Sequence, residues 1–176
     1  MVNIEKAKQI DGWMSDSELH WLASMAQKSK VIIEVGCYHG RSTRALADNT
    51  SGIVHAVDPW DGIYHKDDNS VHFVLTDGDY DIFLYNTRNL SNIIIHRGTL
   101  SDLIDTDIKA DFIFIDGDHR YEGVKSDILN ARKLLVKDGI LAGHDYIYNE
   151  WPGVRKAVDE LIPKIQVLDS IWISKN

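Results

Sequence analysis

The decisive stretch of this sequence is Val31-Ile32-Ile33-Glu34-Val35-Gly36-Cys37-Tyr38-His39-Gly40-Arg41-Ser42. Its first five residues form an apolar run, broken only by Glu34, that is typical of a short strand buried on both faces. Gly36 and Gly40 indicate a tight loop whose backbone can approach a ligand closely. A helix is predicted from Ser42 onward. The stretch therefore predicts a strand, a glycine loop and a helix in immediate succession.

Glu34 gives the glycine loop its particular chemistry. A carboxylate at the end of a buried strand is costly unless a partner binds it. A loop that bound only pyrophosphate would rely on backbone N–H groups at a helix N-terminus, which favour anions. An acidic side chain instead suits a ligand with an ammonium or sulfonium group, and S-adenosylmethionine carries both.

Length, charge and cysteine content limit the classes of protein to consider. The 176 residues, 44% of them hydrophobic, are typical of one globular domain. A surplus of 27 acidic over 19 basic residues gives a net charge of −8 and argues against nucleic acid as a partner. Cys37 is the only cysteine, which excludes an intrachain disulfide. With neither a signal-peptide core nor an apolar stretch of about 20 residues, no membrane association is predicted and a cytoplasmic location is expected.

Predicted strands and helices alternate along the chain. Strands are predicted over residues 31–35, 53–57, 92–96, 111–116 and 140–142, with a hairpin formed by 164–168 and 171–174. Helices are predicted after a capping box at Ser15, from Ser42, over 83–90, over 121–135 and from Pro152. Residues 60–81 are predicted to form a loop or lid. This order predicts one α/β domain over residues 1–176 with a mainly parallel sheet, preceded by an N-terminal extension over 1–14.

Polar residues follow the predicted strands, where doubly wound sheets bind their ligands. Asp58, about 20 residues beyond the glycine loop, can accept ribose hydroxyls, although an aspartate before proline also favours a plain turn. Asp116 and Asp145 can converge on a divalent cation such as Mg²⁺, which would lower the pKa of a substrate hydroxyl. His119 is the candidate general base. The alternative is that these aspartates cap loops and that His119 is merely exposed.

Several motifs in a fixed order carry a resemblance to a known family. They are the residues 34–42, 57–60, 114–121, 138–146 and 151–154, reading EVGCYHGRS, VDPW, FIDGDHRY, DGILAGHDY and WPGV. On these motifs the chain resembles the class I S-adenosylmethionine-dependent methyltransferases. It looks closest to the small O-methyltransferase-like group called methyltransferase family 24, which is similar to the catechol and caffeoyl-CoA O-methyltransferases.

The resemblance implies a Rossmann-like, three-layer α/β/α sandwich whose seven-stranded sheet is mostly parallel with an antiparallel last strand. It implies a methionine-binding site at the glycine loop, a ribose site at Asp58 and an adenine site after the third strand. The cofactor-binding residues implied are Glu34, Gly36, Gly40, Ser42, Asp58, Thr99, Leu100, Ser101 and Asp116. The catalytic residues implied are His119, Asp116 and Asp145.

The resemblance also implies a metal site, with one departure. The metal-dependent relatives use an Asp after the fourth strand and an Asp-Asn pair after the fifth. Asp116 and Asp145 match the two aspartates, but Tyr146 stands where Asn is expected. Asp118, His144 or water can fill the gap, so the candidate metal ligands are Asp116, Asp145 and His144.

The function predicted from the sequence is transfer of a methyl group to a hydroxyl of a small molecule: a sugar, a natural product or a phenol. Two alternatives stay open. One is a non-catalytic protein that binds S-adenosylmethionine, and the other is an NAD-dependent oxidoreductase, which the lack of a full G-x-G-x-x-G pattern disfavours. Association into a homo-oligomer is also left open.

Overall fold

A seven-stranded sheet with helices on both faces forms the centre of the molecule. The computed structural model describes residues 1–67 and 70–175. The strands of this sheet are β1 (Val31–Val35), β2 (Ile53–Val57), β5 (Ile93–His96), β6 (Ala110–Ile115), β7 (Leu135–Gly143), β8 (Gln166–Leu168) and β9 (Ile171–Lys175). Their order is β5-β2-β1-β6-β7-β9-β8, and β9 runs antiparallel to both of its neighbours. The predicted fold class is confirmed.

Strand β1 has a helical layer on each side because successive residues of a strand point to opposite faces. Ile33 and Val35 face α4 (Tyr121–Leu134) and α5 (Pro152–Leu161). Ile32, on the other face, packs with α1 (Asp16–Ala26) and α2 (Arg41–Ala47). Each fully buried Ile or Leu side chain contributes about 1.5–3 kcal/mol, so the two cores stabilise the sheet from both faces.

Local sequence signals account for the helix starts. The side chains of Ser15 and Glu18 form the predicted capping box at the N-terminus of α1. Pro152 occupies the first turn of α5, where its missing N–H costs nothing. The helix predicted over 121–135 ends at Leu134 instead, and the strand predicted over 140–142 begins earlier, at Leu135. The chain passes directly from α4 into β7 because Leu135 already has extended backbone angles.

Residues 60–81, predicted to form a loop or lid, contain regular structure, so the prediction of a loop was wrong, while a lid role stays a prediction. The structure has two antiparallel strands there, β3 (Ile63–Asp67) and β4 (Ser70–Val74), and residues 68 and 69 of the predicted loop lie outside the described residues. Helix α3 (Asp77–Thr87) begins six residues earlier than predicted. The acidic start of α3 is the reason, since Asp79 closes a capping box with Thr76 and stabilises the first turn.

Residues 1–14 pack against the sheet domain. Ile4, Ala7 and Met14 are buried in the same core as α1 and α2. The guanidinium group of Arg41 donates to the backbone carbonyls of Lys8 (3.1 Å), Ile10 (2.7 Å) and Met14 (3.0 Å). The predicted extension is thereby fixed beside the glycine loop. Within the described ranges, no helix has the length and apolar character needed to cross a bilayer.

Candidate active site

A cavity of about 450 Å³ opens at the carboxyl ends of β1, β2, β6 and β7. Its volume is in the usual range for sites that bind small molecules. Its walls come from the N-terminal segment, the glycine loop, the ends of four strands and the segment before α5. The lining residues are Gly12, Trp13, Met14, Gly36, Cys37, Tyr38, Arg41, Ser42, Asp58, Leu75, Asp116, Gly117, His119, His144, Asp145, Tyr148, Glu150 and Trp151.

Gly36 lets the glycine loop approach the neighbouring strand end closely. Its φ is +83°, and a Cβ atom there would lie 2.1 Å from the carbonyl oxygen of Asp116. The N–H of Gly36 donates to the carbonyl of Val57 at 2.9 Å. No other residue type fits this position without moving the backbone. Gly36 and Ser42 both line the cavity, whereas Gly40 lies beneath it against Phe83.

Asp58 fixes the conformation of the glycine loop. Its Oδ2 accepts hydrogen bonds from the N–H groups of Cys37 (2.8 Å) and Tyr38 (3.0 Å), and its Oδ1 accepts one from that of Trp60 (2.9 Å). The carboxylate is almost fully buried and still lines the cavity. A carboxylate held by three backbone donors is rigid, which suits it to position a ligand.

Glu34 lies behind the loop and is fully buried. Its Oε2 accepts a hydrogen bond from the hydroxyl of Thr43. Oε1 has no hydrogen-bond partner among the described residues. Burial raises the pKa of Glu34 from 4.5 to about 7. An unsatisfied, buried carboxyl oxygen of this kind is destabilising.

His119 and two carboxylates meet at the floor of the cavity. Nε2 of His119 lies 2.6 Å from Oδ2 of Asp145 and 4.0 Å from Oδ1 of Asp116. The imidazole also stacks on Trp151, with ring centroids 4.2 Å apart. Although burial opposes its charge, hydrogen bonds from His119 and His144 hold the pKa of Asp145 well below its usual value. The sequence-predicted catalytic residues therefore lie together.

Asp116 and His144 complete the cluster. Nδ1 of His144 lies 3.2 Å from Oδ1 of Asp145 and 3.7 Å from Oδ1 of Asp116. Burial raises the pKa of Asp116 well above its usual value, and the negative charge of Asp145 adds to the effect. Burial lowers the pKa of His144, but the two aspartates outweigh it and raise that pKa well above the usual value.

Three side chains of the cluster form a candidate site for a single metal ion. Asp116, His144 and Asp145 each offer one ligand atom, and these atoms all lie within 4.8 Å of one another. Around a cation with ligands at about 2.1 Å, neighbouring ligand atoms are about 3 Å apart and opposite ones about 4 Å. Tyr146 takes no part, because its hydroxyl donates to Asp159 at 2.7 Å. Asp118 binds the guanidinium of Arg120 instead.

The predicted adenine site lies outside the cavity. Leu100 is fully buried in the core beside α4, so its side chain is not available to a ligand. Thr99 and Ser101 are exposed, and Thr99 caps a short 3₁₀ helix with Asp102. The N–H of Gly98 donates to the carbonyl of Asp58 at 3.2 Å, which keeps this segment next to the ribose-binding candidate.

Sequence reasoning missed three contributions to the site. Trp13 and Gly12 form one wall of the cavity, and Trp151 packs on His119. Glu18 and Ser170 contact His144 from behind. Glu18 carries a local signal only for helix capping, and it is 126 residues from His144, so no pattern along the chain points to their contact.

The sheet order and the cavity at its carboxyl edge define the fold of a class I methyltransferase. Residues 33–146, more than half of the chain, match the sequence model of a family described as a methyltransferase domain. The chain belongs to this family, methyltransferase family 24. A search of curated proteins gives no match.

Solved structures of methyltransferases have the same fold. An O-methyltransferase from Bacillus cereus, in complex with S-adenosylhomocysteine, has a TM-score of 0.71 at 18% identity over 98% of this chain and 89% of that one. The O-methyltransferase TomG from Streptomyces achromogenes, in complex with S-adenosylmethionine, has a TM-score of 0.67 at 15% identity over 98% of this chain and 90% of that one. The N-methyltransferase NodS from Bradyrhizobium japonicum WM9 has a TM-score of 0.63 at 16% identity over 91% of this chain and 93% of that one. Since both O- and N-methyltransferases share the fold, the acceptor must be argued from the site.

Proposed function

We propose that this protein transfers the methyl group of S-adenosylmethionine to a hydroxyl group of a small molecule. The observation that carries the proposal is the pair of His119 and Asp145, 2.6 Å apart, on the floor of a cavity that the glycine loop also lines. A hydroxyl must lose its proton to accept a methyl group, whereas a neutral amine can attack without prior deprotonation. An imidazole oriented by a carboxylate therefore favours a hydroxyl acceptor.

The cofactor half of the cavity comprises Gly36, Ser42, Asp58 and Asp116. S-adenosylmethionine, when bound, supplies an electrophilic methyl group on its sulfonium sulfur. We propose that Asp58 accepts the ribose hydroxyls, while Gly36 and Ser42 border the methionine. Thr99, Leu100 and Ser101 form the backbone edge near the adenine. Glu34 and Gly40 support the loop from behind.

The proton of the acceptor passes to His119 in this proposal. When Nε2 carries a proton and donates it to Asp145, the Nδ1 lone pair is left to accept the hydroxyl proton. Asp145 then stabilises the imidazolium that forms, as the carboxylate does in Ser-His-Asp sites. Trp151 restricts the rotation of the ring. Alignment of the hydroxyl oxygen with the methyl group supplies the remainder of the catalysis.

A divalent cation is the second part of the proposal. Asp116, Asp145 and His144 would hold it, as the spacing of their ligand atoms allows. Such a cation would lower the pKa of an acceptor hydroxyl, so that it and His119 act on the same oxygen. Metal assistance and base catalysis are separable, because His119 is not among the three candidate ligands.

The class of acceptor follows from the charge and size of the site. A net charge of −8 disfavours nucleic acid, and a cavity of about 450 Å³ that the acceptor shares with the cofactor suits a small acceptor such as a sugar, a natural product or a phenol. We also propose a cytoplasmic location, since the single cysteine, Cys37, is buried and needs no oxidising compartment. Association into a homo-oligomer is testable by light scattering.

The first experiment is calorimetric titration of S-adenosylhomocysteine into the protein, in Mg²⁺ and in EDTA, with NAD titrated in parallel. We expect one-site binding of S-adenosylhomocysteine and none of NAD. Incubation with S-adenosylmethionine and a panel of hydroxyl compounds should then yield a product one methylene (about 14 Da) heavier by mass spectrometry. Binding without turnover on any acceptor favours the non-catalytic alternative, and the absence of binding overturns the proposal. Saturable NAD binding would revive the oxidoreductase alternative.

A further inference from the structure

Glu18, in the first turn of α1, has two sets of contacts on its two carboxylate oxygens. Oε2 accepts hydrogen bonds from the N–H and the hydroxyl of Ser15, both at 2.9 Å, and so caps the helix. Oε1 accepts a hydrogen bond from the hydroxyl of Ser170 at 2.6 Å and one from its N–H at 3.2 Å. It also lies 3.1 Å from Nε2 of His144. Helix capping requires only the first oxygen, so the second set of contacts needs a separate explanation.

His144 lies between this carboxylate and the cluster on the cavity floor. Nε2 faces Glu18, while Nδ1 faces Asp145 at 3.2 Å and Asp116 at 3.7 Å. Glu18, Ser170 and His144 are each no more than 5% exposed, so water does not compete for these contacts. A carboxylate on Nε2 keeps a proton on that nitrogen. In the neutral imidazole that a cation would bind, the lone pair of Nδ1 then points toward the two aspartates.

This arrangement is the one that metal-binding histidines use, with one nitrogen on the cation and the other N–H on a carboxylate. An imidazole in the ligand set also changes which cation the site prefers. Mg²⁺ binds oxygen ligands and keeps much of its water, whereas Mn²⁺, Co²⁺ and Zn²⁺ accept imidazole readily. Buried Glu18 therefore bears on cation selectivity although it does not touch the cavity.

We propose that Glu18 is a positioning residue that holds Nδ1 of His144 toward Asp116 and Asp145, so that the site selects Mn²⁺ or Co²⁺ over Mg²⁺. The inference rests on the cation site of the proposed function. Ser170 has a supporting role, since its hydroxyl lies 2.7 Å from Nε2 of His144 and keeps Glu18 in place. In the sequence, Glu18 is recognisable only as part of the capping box of α1.

The test is a comparison of cation binding by Glu18→Gln and by a matched control. Glutamine has one acceptor oxygen where glutamate has two, so it cannot both cap α1 and accept the Nε2 proton of His144. The control is Ser15→Ala, which removes the cap and leaves Oε1 of Glu18 on His144. Both variants lose part of the helix cap and are expected to unfold more easily than the wild type, so a loss of cation binding in only one of them is not a consequence of lower stability.

Binding of Mn²⁺, Co²⁺ and Mg²⁺ to the EDTA-treated full chain is measured by calorimetry, and the visible absorption of bound Co²⁺ reports its ligands. We expect the wild type to bind Mn²⁺ and Co²⁺ at least tenfold more tightly than Mg²⁺. Glu18→Gln should weaken the binding of Mn²⁺ and Co²⁺ roughly 10–100-fold, which is the usual effect of losing the carboxylate partner of a metal-binding histidine. The binding of Mg²⁺ should stay nearly unchanged. Ser15→Ala should bind all three within about threefold of the wild type.

Any of three results would overturn the inference. The first is an equal loss of cation binding in Glu18→Gln and Ser15→Ala, and the second is a preference of the wild type for Mg²⁺. The third is a Glu18→Gln chain with the cation selectivity of the wild type. If Glu18→Gln does not fold, Ser170→Ala replaces it, with an expected loss of about threefold to tenfold for Co²⁺. The titration of S-adenosylhomocysteine separates the two proposals. A wild-type chain that binds S-adenosylhomocysteine and no cation refutes this inference and the cation part of the proposed function, and leaves methyl transfer standing. A chain that binds neither ligand refutes the proposed function as well.

Discussion

Nε2 of His119 and Oδ2 of Asp145 lie 2.6 Å apart, and the backbone of Asp145 is in the left-handed region, with φ of +64°. The left-handed backbone of Asp145 accounts for its short distance to His119. Asp145 follows β7, and a left-handed residue there turns the chain sharply, so that its carboxylate sits between His119 and His144. Aspartate and asparagine tolerate this conformation better than most residues.

Asp145→Asn should reduce kcat for the acceptor identified in the panel by roughly 10²–10⁴-fold, while the Kd for S-adenosylhomocysteine stays within a few-fold. Asparagine keeps the backbone angle but neither stabilises a protonated His119 nor supplies a strong ligand to a cation. The matched control is Asp138→Asn, at an exposed residue with φ of +65°, which should leave kcat unchanged. A kcat above half that of the wild type in Asp145→Asn would contradict the proposed role.

Glu34→Gln should make the free energy of unfolding less dependent on pH. In the unfolded chain this carboxyl ionises near pH 4.5, whereas in the folded chain burial raises its pKa to about 7. The wild type should therefore lose stability as the pH rises from 4.5 to 7 and lose no more above 7, by about 3 kcal/mol in total. The glutamine side chain carries no charge at any of these pH values, so the variant should escape this loss.

Urea unfolding at pH 4, 6 and 8 measures the effect. The difference in stability between Glu34→Gln and wild type should favour the variant increasingly from pH 4 to pH 8. Glu122→Gln, at an exposed residue, should show no such trend. Parallel curves for Glu34→Gln and wild type would show that the buried carboxyl does not titrate in this range.

Gly36→Ala should disrupt the glycine loop. The added Cβ would lie 2.1 Å from the carbonyl oxygen of Asp116, in a backbone conformation with φ of +83°. We expect a loss of about 3–5 kcal/mol in stability and no measurable binding of S-adenosylhomocysteine. Gly78→Ala, in the first turn of α3, meets only the hydroxyl of Thr76 at 3.4 Å and should stabilise the protein by up to about 1 kcal/mol. If calorimetry gives Gly36→Ala and Gly78→Ala similar stability and similar binding of S-adenosylhomocysteine, the close approach of Gly36 to the carbonyl of Asp116 is refuted.

Arg41→Lys should loosen the N-terminal wall of the cavity. A lysine ammonium cannot reach the three carbonyls that the guanidinium of Arg41 binds. At roughly 1 kcal/mol for each hydrogen bond lost, amide hydrogen exchange over residues 8–14 should become about tenfold faster or more. Arg155→Lys, at an exposed residue, is the control and should leave this segment unchanged. Unaltered exchange in Arg41→Lys would mean that the apolar contacts of Ile4 and Met14 suffice.

Much of the fold follows from signals that are local in the sequence. The β-branched runs of β1 and β2 and the capping box of α1 were predicted correctly because a few neighbouring residues decide them. The β3–β4 hairpin was missed although aromatic and β-branched residues flank Asp68-Asn69, a pattern that favours a hairpin. Acidic residues in this part of the chain favour a loop when considered alone, whereas those at the start of α3 in fact stabilise a helix.

Part of the candidate site could be predicted from the sequence, because parallel strands end at the same edge of a sheet. Asp58, Asp116, His119 and Asp145 each follow a strand, so the topology alone brings them together. The position of Glu34 outside the cavity lining could not be predicted, because it depends on Thr43 in the following helix. The contact of Glu18 with His144 depends on how α1 docks, which no local pattern encodes.

The contact between Glu18 and Ser170 joins residues 152 positions apart. This contact closes a far longer stretch of chain than the 21-residue contact between Cys37 and Asp58 that holds the glycine loop, so its entropic cost is larger. We therefore expect a refolding chain to fix the imidazole of His144 later than it forms the contact between Asp58 and the glycine loop.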